Sequence, residues 1–124
     1  MATILLVEDN QNTADFMVRI LEAAGYTVHH AKSGLEGARL ARASLPDLVL
    51  MDIDLPDVNG RSVVLSLRRL RSPDSLPIIA VTVQADEESV TLAKGFGCNA
   101  FLAKPFTPRE LLHKVRQALN GAAA

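Results

Sequence analysis

Four short apolar runs in this sequence each deliver a polar residue that can do chemistry. Ile4-Leu5-Leu6-Val7 leads into Glu8-Asp9, and Leu48-Val49-Leu50-Met51 leads into Asp52. Ile78-Ile79-Ala80-Val81 leads into Thr82, and the run from Ala100 to Ala103 leads into Lys104. If the runs are strands of one parallel sheet, three carboxylates, a hydroxyl and an ammonium meet at one sheet edge. Ligands of open α/β sheets bind at the carboxyl ends of the strands. Carboxylates crowded into one cleft repel each other unless a cation sits among them. A small set of oxygen ligands, with room for water and phosphate, suits Mg²⁺ rather than zinc. There is no cysteine cluster, and His29 and His30 belong to a different run. A carboxylate beside Mg²⁺ can accept a phosphoryl group, the metal neutralising some of its oxygens while Lys104 and Thr82 bind the rest. Taken singly, each residue has a plainer job. Asp9 can cap a helix, Asp52 can end a strand, Thr82 can be buried in one, and Lys104 can be a solvated cation. Their joint arrival at one edge is what points to a site.

The elements that must position these residues are legible from local pattern. Apolar runs span residues 3–7, 26–30, 47–51, 77–82 and 100–103. Three of them are continuous rather than alternating, as in strands covered on both faces. Between the runs lie helical signals. Ala14, Met17, Leu21 and Ala24 recur at helical spacing and stop at Gly25, a good C-terminal cap. Ser33-Gly34-Leu35-Glu36 is a capping pattern ahead of Ala38 and Ala41. Asn59-Gly60 and Ser72-Pro73 bracket a third helix, and Asp86 is a candidate N-cap for a fourth. Thr107-Pro108-Arg109-Glu110 is a capping box with proline at the first helical position, followed by a stripe of Leu111 or Leu112, Val115 and Leu119. Strict alternation of strand and helix predicts an α/β fold with a parallel sheet.

Composition sets the outer bounds. The 124 residues suit one domain, and 48% hydrophobic with 22% charged residues is ordinary for a globular protein. A net charge of −1 argues against a nucleic-acid binder with a broad basic surface. No run is long enough to span a membrane, and the N-terminus lacks the layout of a signal peptide. The lone Cys98 is expected to be a small buried thiol, consistent with a reducing cytoplasm. The tail at residues 122–124 is expected to be disordered.

With these motifs in hand, the whole chain closely resembles the receiver domains of two-component response regulators, including the small single-domain chemotaxis and cell-cycle types. Leu5-Leu6-Val7-Glu8-Asp9-Asn10 is similar to the family's acidic-pair motif. Leu50-Met51-Asp52-Ile53-Asp54-Leu55-Pro56, followed by Gly60, is similar to its phosphoacceptor loop. Ile79-Ala80-Val81-Thr82 and Ala103-Lys104-Pro105-Phe106 match its switch-threonine strand and its lysine–proline motif. The resemblance implies a doubly wound five-stranded sheet in the flavodoxin-like order 2-1-3-4-5, flanked by five helices, with residues 1–121 as the receiver domain. It implies Asp52 as phosphoacceptor, and Asp9, Asp52 and the backbone carbonyl of Asp54 as Mg²⁺ ligands. Glu8 would reach the metal through water, Lys104 would bind the phosphoryl oxygens, Thr82 would close onto them, and Phe101 would be the aromatic switch residue. The Lys104–Pro105 bond is often cis in the family. Two positions depart from its commonest pattern. Val83 stands where a small residue is usual, and Asp54 supplies a carboxylate where the family varies; both bear on rates.

The implied function is a phosphorelay switch that takes a phosphoryl group from a histidine kinase or histidine phosphotransfer protein. Its catalysis would be confined to its own phosphorylation and dephosphorylation. Output would pass to a protein partner on the face of the fourth helix, fifth strand and fifth helix, without direct contact to nucleic acid or membrane. The chain would be a cytoplasmic monomer or a weak, phosphorylation-dependent dimer. A receiver taken from a hybrid kinase or larger regulator is an alternative. Asp52-Ile53-Asp54 also imitates the motif of haloacid-dehalogenase phosphatases, but there the motif follows the first strand. The Glu8 and Asp-x-Asp pair likewise imitates the metal-binding domain of topoisomerases and primases. That domain has glycine after the glutamate, and it leaves Thr82 and Lys104-Pro105 without a role.

Overall fold

In a computed structural model, the three continuous apolar runs are the three central strands of one five-stranded parallel sheet. The structure describes residues 2–53, 60–72, 75–83, 90–91, 94–95 and 97–121. The strands are β1 (Thr3–Val7), β2 (Thr27–Ala31), β3 (Leu48–Asp52), β4 (Ile78–Thr82) and β5 (Ala100–Ala103). Their order is β2-β1-β3-β4-β5, as the resemblance implies. β3 and β4 are buried at every position, whereas β2 at one edge alternates between exposed and covered residues. That difference explains the patterns: a strand covered on both faces needs apolar residues throughout, and an edge strand does not.

Helices α1 (Gln11–Ala23), α2 (Gly34–Ser44), α3 (Gly60–Arg68) and α4 (Pro108–Gly121) cover the two faces. The expected helix between β4 and β5 falls largely outside the described residues, as do its candidate cap Asp86 and the tail at 122–124. Val90, Thr91, Lys94 and Gly95 are helical. Counting the described residues alone, four helices rather than five are traced from end to end.

The caps are local and follow the sequence closely. Asn10 caps α1 by accepting from the Thr13 amide at 3.0 Å, and Gly25 ends the helix at φ 99°. Ser33 caps α2 through the Glu36 amide. At α4 the capping box is reciprocal: Thr107 Oγ1 accepts from the Glu110 amide, and Glu110 Oε1 accepts from the Thr107 amide.

The sheet divides the core in two. Ile4, Leu6, Leu48, Leu50, Ile79, Val81 and Leu102 pack with Ala14, Met17 and Leu21 of α1 and Leu111 and Val115 of α4. Leu5, Val7, Val49, Met51, Ile78 and Ala80 pack with Ala41 of α2 and Val63, Val64 and Leu67 of α3. Cys98 is buried in that second layer, where burial pushes its thiol up to about 11 against the pull of Arg68. It is an inert core thiol, as expected.

Glycine matters most at Gly60, the first residue of α3. A Cβ there would lie 2.6 Å from the Asp52 carbonyl oxygen and 2.8 Å from Ile53 Cα, both backbone atoms that cannot swing aside. Gly60→Ala is expected to destabilise the protein by roughly 1–3 kcal/mol through forced backbone shifts. At helical, exposed Gly95 a Cβ would meet nothing within 4 Å. Gly95→Ala should therefore stabilise by up to about 1 kcal/mol through helix propensity. Urea titration of the two variants distinguishes them, and equal effects would contradict the packing account.

Candidate functional site

Parallel pairing aligns the carboxyl ends of the strands. Val7 lies opposite Met51, Asp52 opposite Val81, and Thr82 opposite Ala103. The next residues of β1 and β5 are Glu8 and Lys104, so all five candidate residues stand at one edge. Glu8, Asp52 and Thr82 are buried, while Asp9 is exposed. One carboxylate oxygen from each of Glu8, Asp9 and Asp52 lies within 4.8 Å of the others. Lys104 Nζ donates to Glu8 Oε1 at 2.8 Å and reaches Asp52 Oδ2 at 3.5 Å. The other Glu8 oxygen accepts from the Asn10 amide at 3.2 Å. Backbone bonds seat the loops: the Lys104 amide donates to the Thr82 carbonyl and the Ile53 amide to the Val81 carbonyl. The Lys104–Pro105 peptide is cis.

Electrostatics follow from this crowding. Burial pushes the Glu8 carboxyl up to about 7; the Lys104 hydrogen bond opposes that rise, and the neighbouring Asp52 adds to it. Burial works against the Lys104 ammonium, but its hydrogen bond to Glu8 and the charge of Asp52 prevail and hold its pKa above the ordinary lysine value. Among the described residues, Glu8 and Asp52 thus share the Lys104 ammonium with Asp9 close by, and Glu8 keeps a proton near neutrality. The donor set is all oxygen, and exposed Asp9 leaves a side open to water. These features fit a hard, partly hydrated divalent cation such as Mg²⁺.

The response regulator receiver domain family matches residues 4–116. The chain belongs to that family. It is 35% identical over 123 residues to the polar-differentiation response regulator DivK of Brucella ovis, covering 97% of this chain and 98% of DivK. It is equally similar over 118 residues to the transcriptional regulatory protein CreB of Escherichia coli, covering 95% of this chain but only 51% of CreB. Among solved structures, a CheY-like receiver domain protein from Methanospirillum hungatei superposes with a TM-score of 0.91 at 32% identity, covering 99% of this chain and 97% of that one. Chemotaxis protein CheY4 of Vibrio cholerae gives 0.90 at 28% identity, covering 96% and 99%. The receiver is accordingly a phosphoacceptor signalling switch of two-component systems rather than a conventional enzyme. Receiver domains bind Mg²⁺ in an acidic pocket, and Glu8, Asp9 and Asp52 form such a cluster here. The phosphatase and topoisomerase readings gain nothing from these comparisons. No described helix is long and apolar enough to cross a membrane.

The remaining sequence candidates are placed as follows. Phe101 is partly buried against the α2–α3 layer, opposite Ala80 on β4, so it shares a sheet face with Thr82 two residues further along. Val83 is 68% exposed at the mouth of the site. Asp54 lies outside the described residues. Sequence reasoning missed two neighbours. His30 closes on the site, its Nε2 donating to the Glu8 carbonyl at 2.8 Å, because β2 runs parallel to β1 and ends beside it. Phe16 and Phe106 form a tilted pair with ring centroids 6.1 Å apart, next to Lys104. Nothing in their spacing, 90 residues apart in the chain, announced that contact.

The raised pKa of Glu8 predicts that the response to a divalent cation depends on pH. Its folded pKa of about 7 exceeds the ordinary 4.5, so its ionisation costs the metal-free fold stability progressively as pH rises from about 4.5 through 7. A divalent cation favours the ionised form and offsets that loss. The rise in melting temperature on adding Mg²⁺ should therefore be larger at pH 8 than at pH 6. Glu8→Gln should abolish most of the difference. Equal Mg²⁺-induced shifts at both pH values in the parent chain would refute the coupling.

Proposed function

We propose that Asp52 is the residue that takes the phosphoryl group. The observation supporting it is the convergence of buried Asp52 with Glu8, Asp9 and the Lys104 ammonium at the end of the central strand. An Asp52 carboxylate oxygen attacks phosphorus, a new P–O bond forms, and the bond to the donor's imidazole nitrogen or leaving oxygen breaks. Asp9 and Asp52 would hold Mg²⁺ directly and Glu8 through water, with the Asp54 carbonyl as the ligand implied by the resemblance. The bound ion supplies neutralising charge to the transferred oxygens. Lys104 then has a second task. With Glu8 balanced otherwise, its ammonium can leave Glu8 Oε1 and pair with a phosphoryl oxygen.

The Thr82 hydroxyl would donate to another phosphoryl oxygen, and Phe101, on the adjacent strand and the same face, would repack into the space vacated. That motion couples the acceptor to a protein partner on the face of β5, α4 and the helix preceding β5. The phosphodonor would be a histidine kinase or histidine phosphotransfer protein. It has a suitable seat: an open cleft of about 500 Å³ beside Lys104, walled by Thr13, Phe16, Val83, Pro105 and Phe106. Phe16 and Val83 are exposed there, 42% and 68% respectively. We place the protein in the cytoplasm, with residues 1–121 as the receiver, as a monomer or weak phosphorylation-dependent dimer.

Incubation with a small phosphodonor and Mg²⁺ should label the parent chain and leave Asp52→Asn unlabelled, while Asp9→Ala should slow labelling at least about tenfold. Undiminished labelling of Asp52→Asn would overturn the assignment. Phe16→Ala should slow phosphotransfer from a histidine-phosphorylated protein but not from the small donor. Equal slowing of both would place Phe16 in the chemistry or the fold rather than in docking. Amide chemical shifts with and without beryllofluoride test the switch. Changes confined to the loops at Asp9, Asp52 and Lys104, with Phe101 silent, would show that it is not coupled.

A further inference from the structure

Arginine is concentrated on one flank of the molecule. Residues 34–44 and 60–72, which make α2, α3 and the turn after it, contain six of the nine arginines but one acidic residue, Glu36. The chain as a whole carries a net charge of −1, so this flank is a local reversal. Of the six, Arg68 and Arg71 are held by hydrogen bonds to the backbone and to Asn99. The Arg68 guanidinium donates to the carbonyls of Leu76 and Gly97 and to Asn99 Oδ1, and Arg71 donates to the carbonyls of Pro46 and Ser75. Arg39 and Arg42 are not held in this way. Both are exposed, neither forms an ion pair among the described residues, and Arg42 makes only a 3.3 Å contact with the Ser66 hydroxyl.

These two arginines rim a groove of about 540 Å³ between α2 and α3. Its walls are Leu35, Ala38, Arg39 and Arg42 from one helix and Ser62, Val63 and Ser66 from the other. The α2 residues follow the spacing i, i+3, i+4, i+7 and so form one continuous stripe. Helix α2 also packs closely on the sheet. It meets the sheet with Gly34, Gly37 and Ala41, and a Cβ at Gly37 would lie 2.7 Å from Val7 Cγ2. Small residues, beside partly buried Leu40, therefore face the core while Leu35 is 66% exposed in the groove. Burying leucine drives folding, so a leucine held outward on a capped helix adds little to stability but is available to a partner.

We propose that this groove docks an acidic amphipathic helix of a protein partner. Leu35, Ala38 and Val63 would receive its apolar stripe, and Arg39 and Arg42 its flanking carboxylates, in the helix-in-groove mode. Charge complementarity selects the occupant: rim arginines that form no ion pair among the described residues favour an acidic helix and repel a basic one. A nucleic acid fits less well, because the floor is apolar and no aromatic side chain lines it for stacking. None of the groove's lining residues belongs to the acidic cluster or is Lys104, and binding there does not require phosphorylation.

The test uses the full chain, isotopically labelled, and two synthetic helices with identical leucine stripes, one flanked by glutamates and one by lysines. The glutamate helix should shift amide signals of Leu35–Ala43 and Ser62–Ser66 saturably, and the lysine helix should not. Arg39→Glu combined with Arg42→Glu should weaken binding at least about tenfold, with labelling by a small phosphodonor unchanged. Leu35→Ser, at an exposed position, should weaken it independently of charge. Equal binding of the two helices, no saturable shift, or shifts produced at the same residues by duplex DNA instead would each overturn the proposal.

Discussion

Two carboxylates, Glu8 and Asp52, are buried at the edge of a parallel sheet, and one ammonium has to balance them. Burying an ion is costly unless it is paired and hydrogen-bonded. Lys104 comes from 96 residues beyond Glu8 and 52 beyond Asp52, so this balance ties the first, third and fifth strands together at their ends. A single positive charge does not satisfy both acids and exposed Asp9 as well. The fold answers by holding Glu8 partly protonated near neutrality. A fold optimised for stability alone would place apolar side chains there. The cluster is an electrostatic demand of the kind that a divalent cation, and a phosphoryl group beside it, would meet.

Everything around the cluster serves to keep it in place. Strand register sets which residues reach the edge, and a slip by one residue would send each end side chain to the opposite face. Close approach at Gly60 lets α3 begin directly against the Asp52 and Ile53 backbone. At the opposite edge, Arg68 joins the end of α3 to the starts of β4 and β5. Asn99 Oδ1, which it holds at 2.7 Å, also accepts the Ile78 amide. The active edge and this clamp lie at the two ends of the same strands, so β4 and β5 are anchored where they begin and polar where they finish.

How much of this was legible in the sequence depends on the range of each interaction. Caps at Ser33, Gly25 and Thr107 involve partners three to five residues away and could be read directly. The central strands could be read too, because burial on both faces leaves an unbroken apolar run. The carboxyl-end rule then placed Glu8, Asp9, Asp52, Thr82 and Lys104 together before any coordinates. Local pattern did not show which acid is buried. Glu8 is, Asp9 is not, and Asn10 rather than Asp9 caps α1. That outcome depends on how β1 leaves the sheet. The Arg68 bonds to Gly97 and Asn99, the His30 bond to Glu8 and the Phe16–Phe106 pair were invisible for the same reason: each joins residues 22 to 90 apart, and no periodicity marks them.

The division of the core bears on how a phosphoryl group on Asp52 would be sensed. Asp52 shares its parity along β3 with Leu48 and Leu50, which face the α1–α4 layer. Thr82 shares its parity along β4 with Ile78 and Ala80, which face the α2–α3 layer together with Phe101. Acceptor and proposed switch thus belong to opposite faces and meet only at the edge. A donor docked near Phe16 and Phe106 would load the site from the α1–α4 side. A response carried by Thr82 and Phe101 would begin on the other face, where Phe101 packs, and would reach the proposed partner surface through β5. The close-packed β3 and β4 between them cannot deform gradually, so the coupling has to pass around the strand ends through the Thr82 hydroxyl.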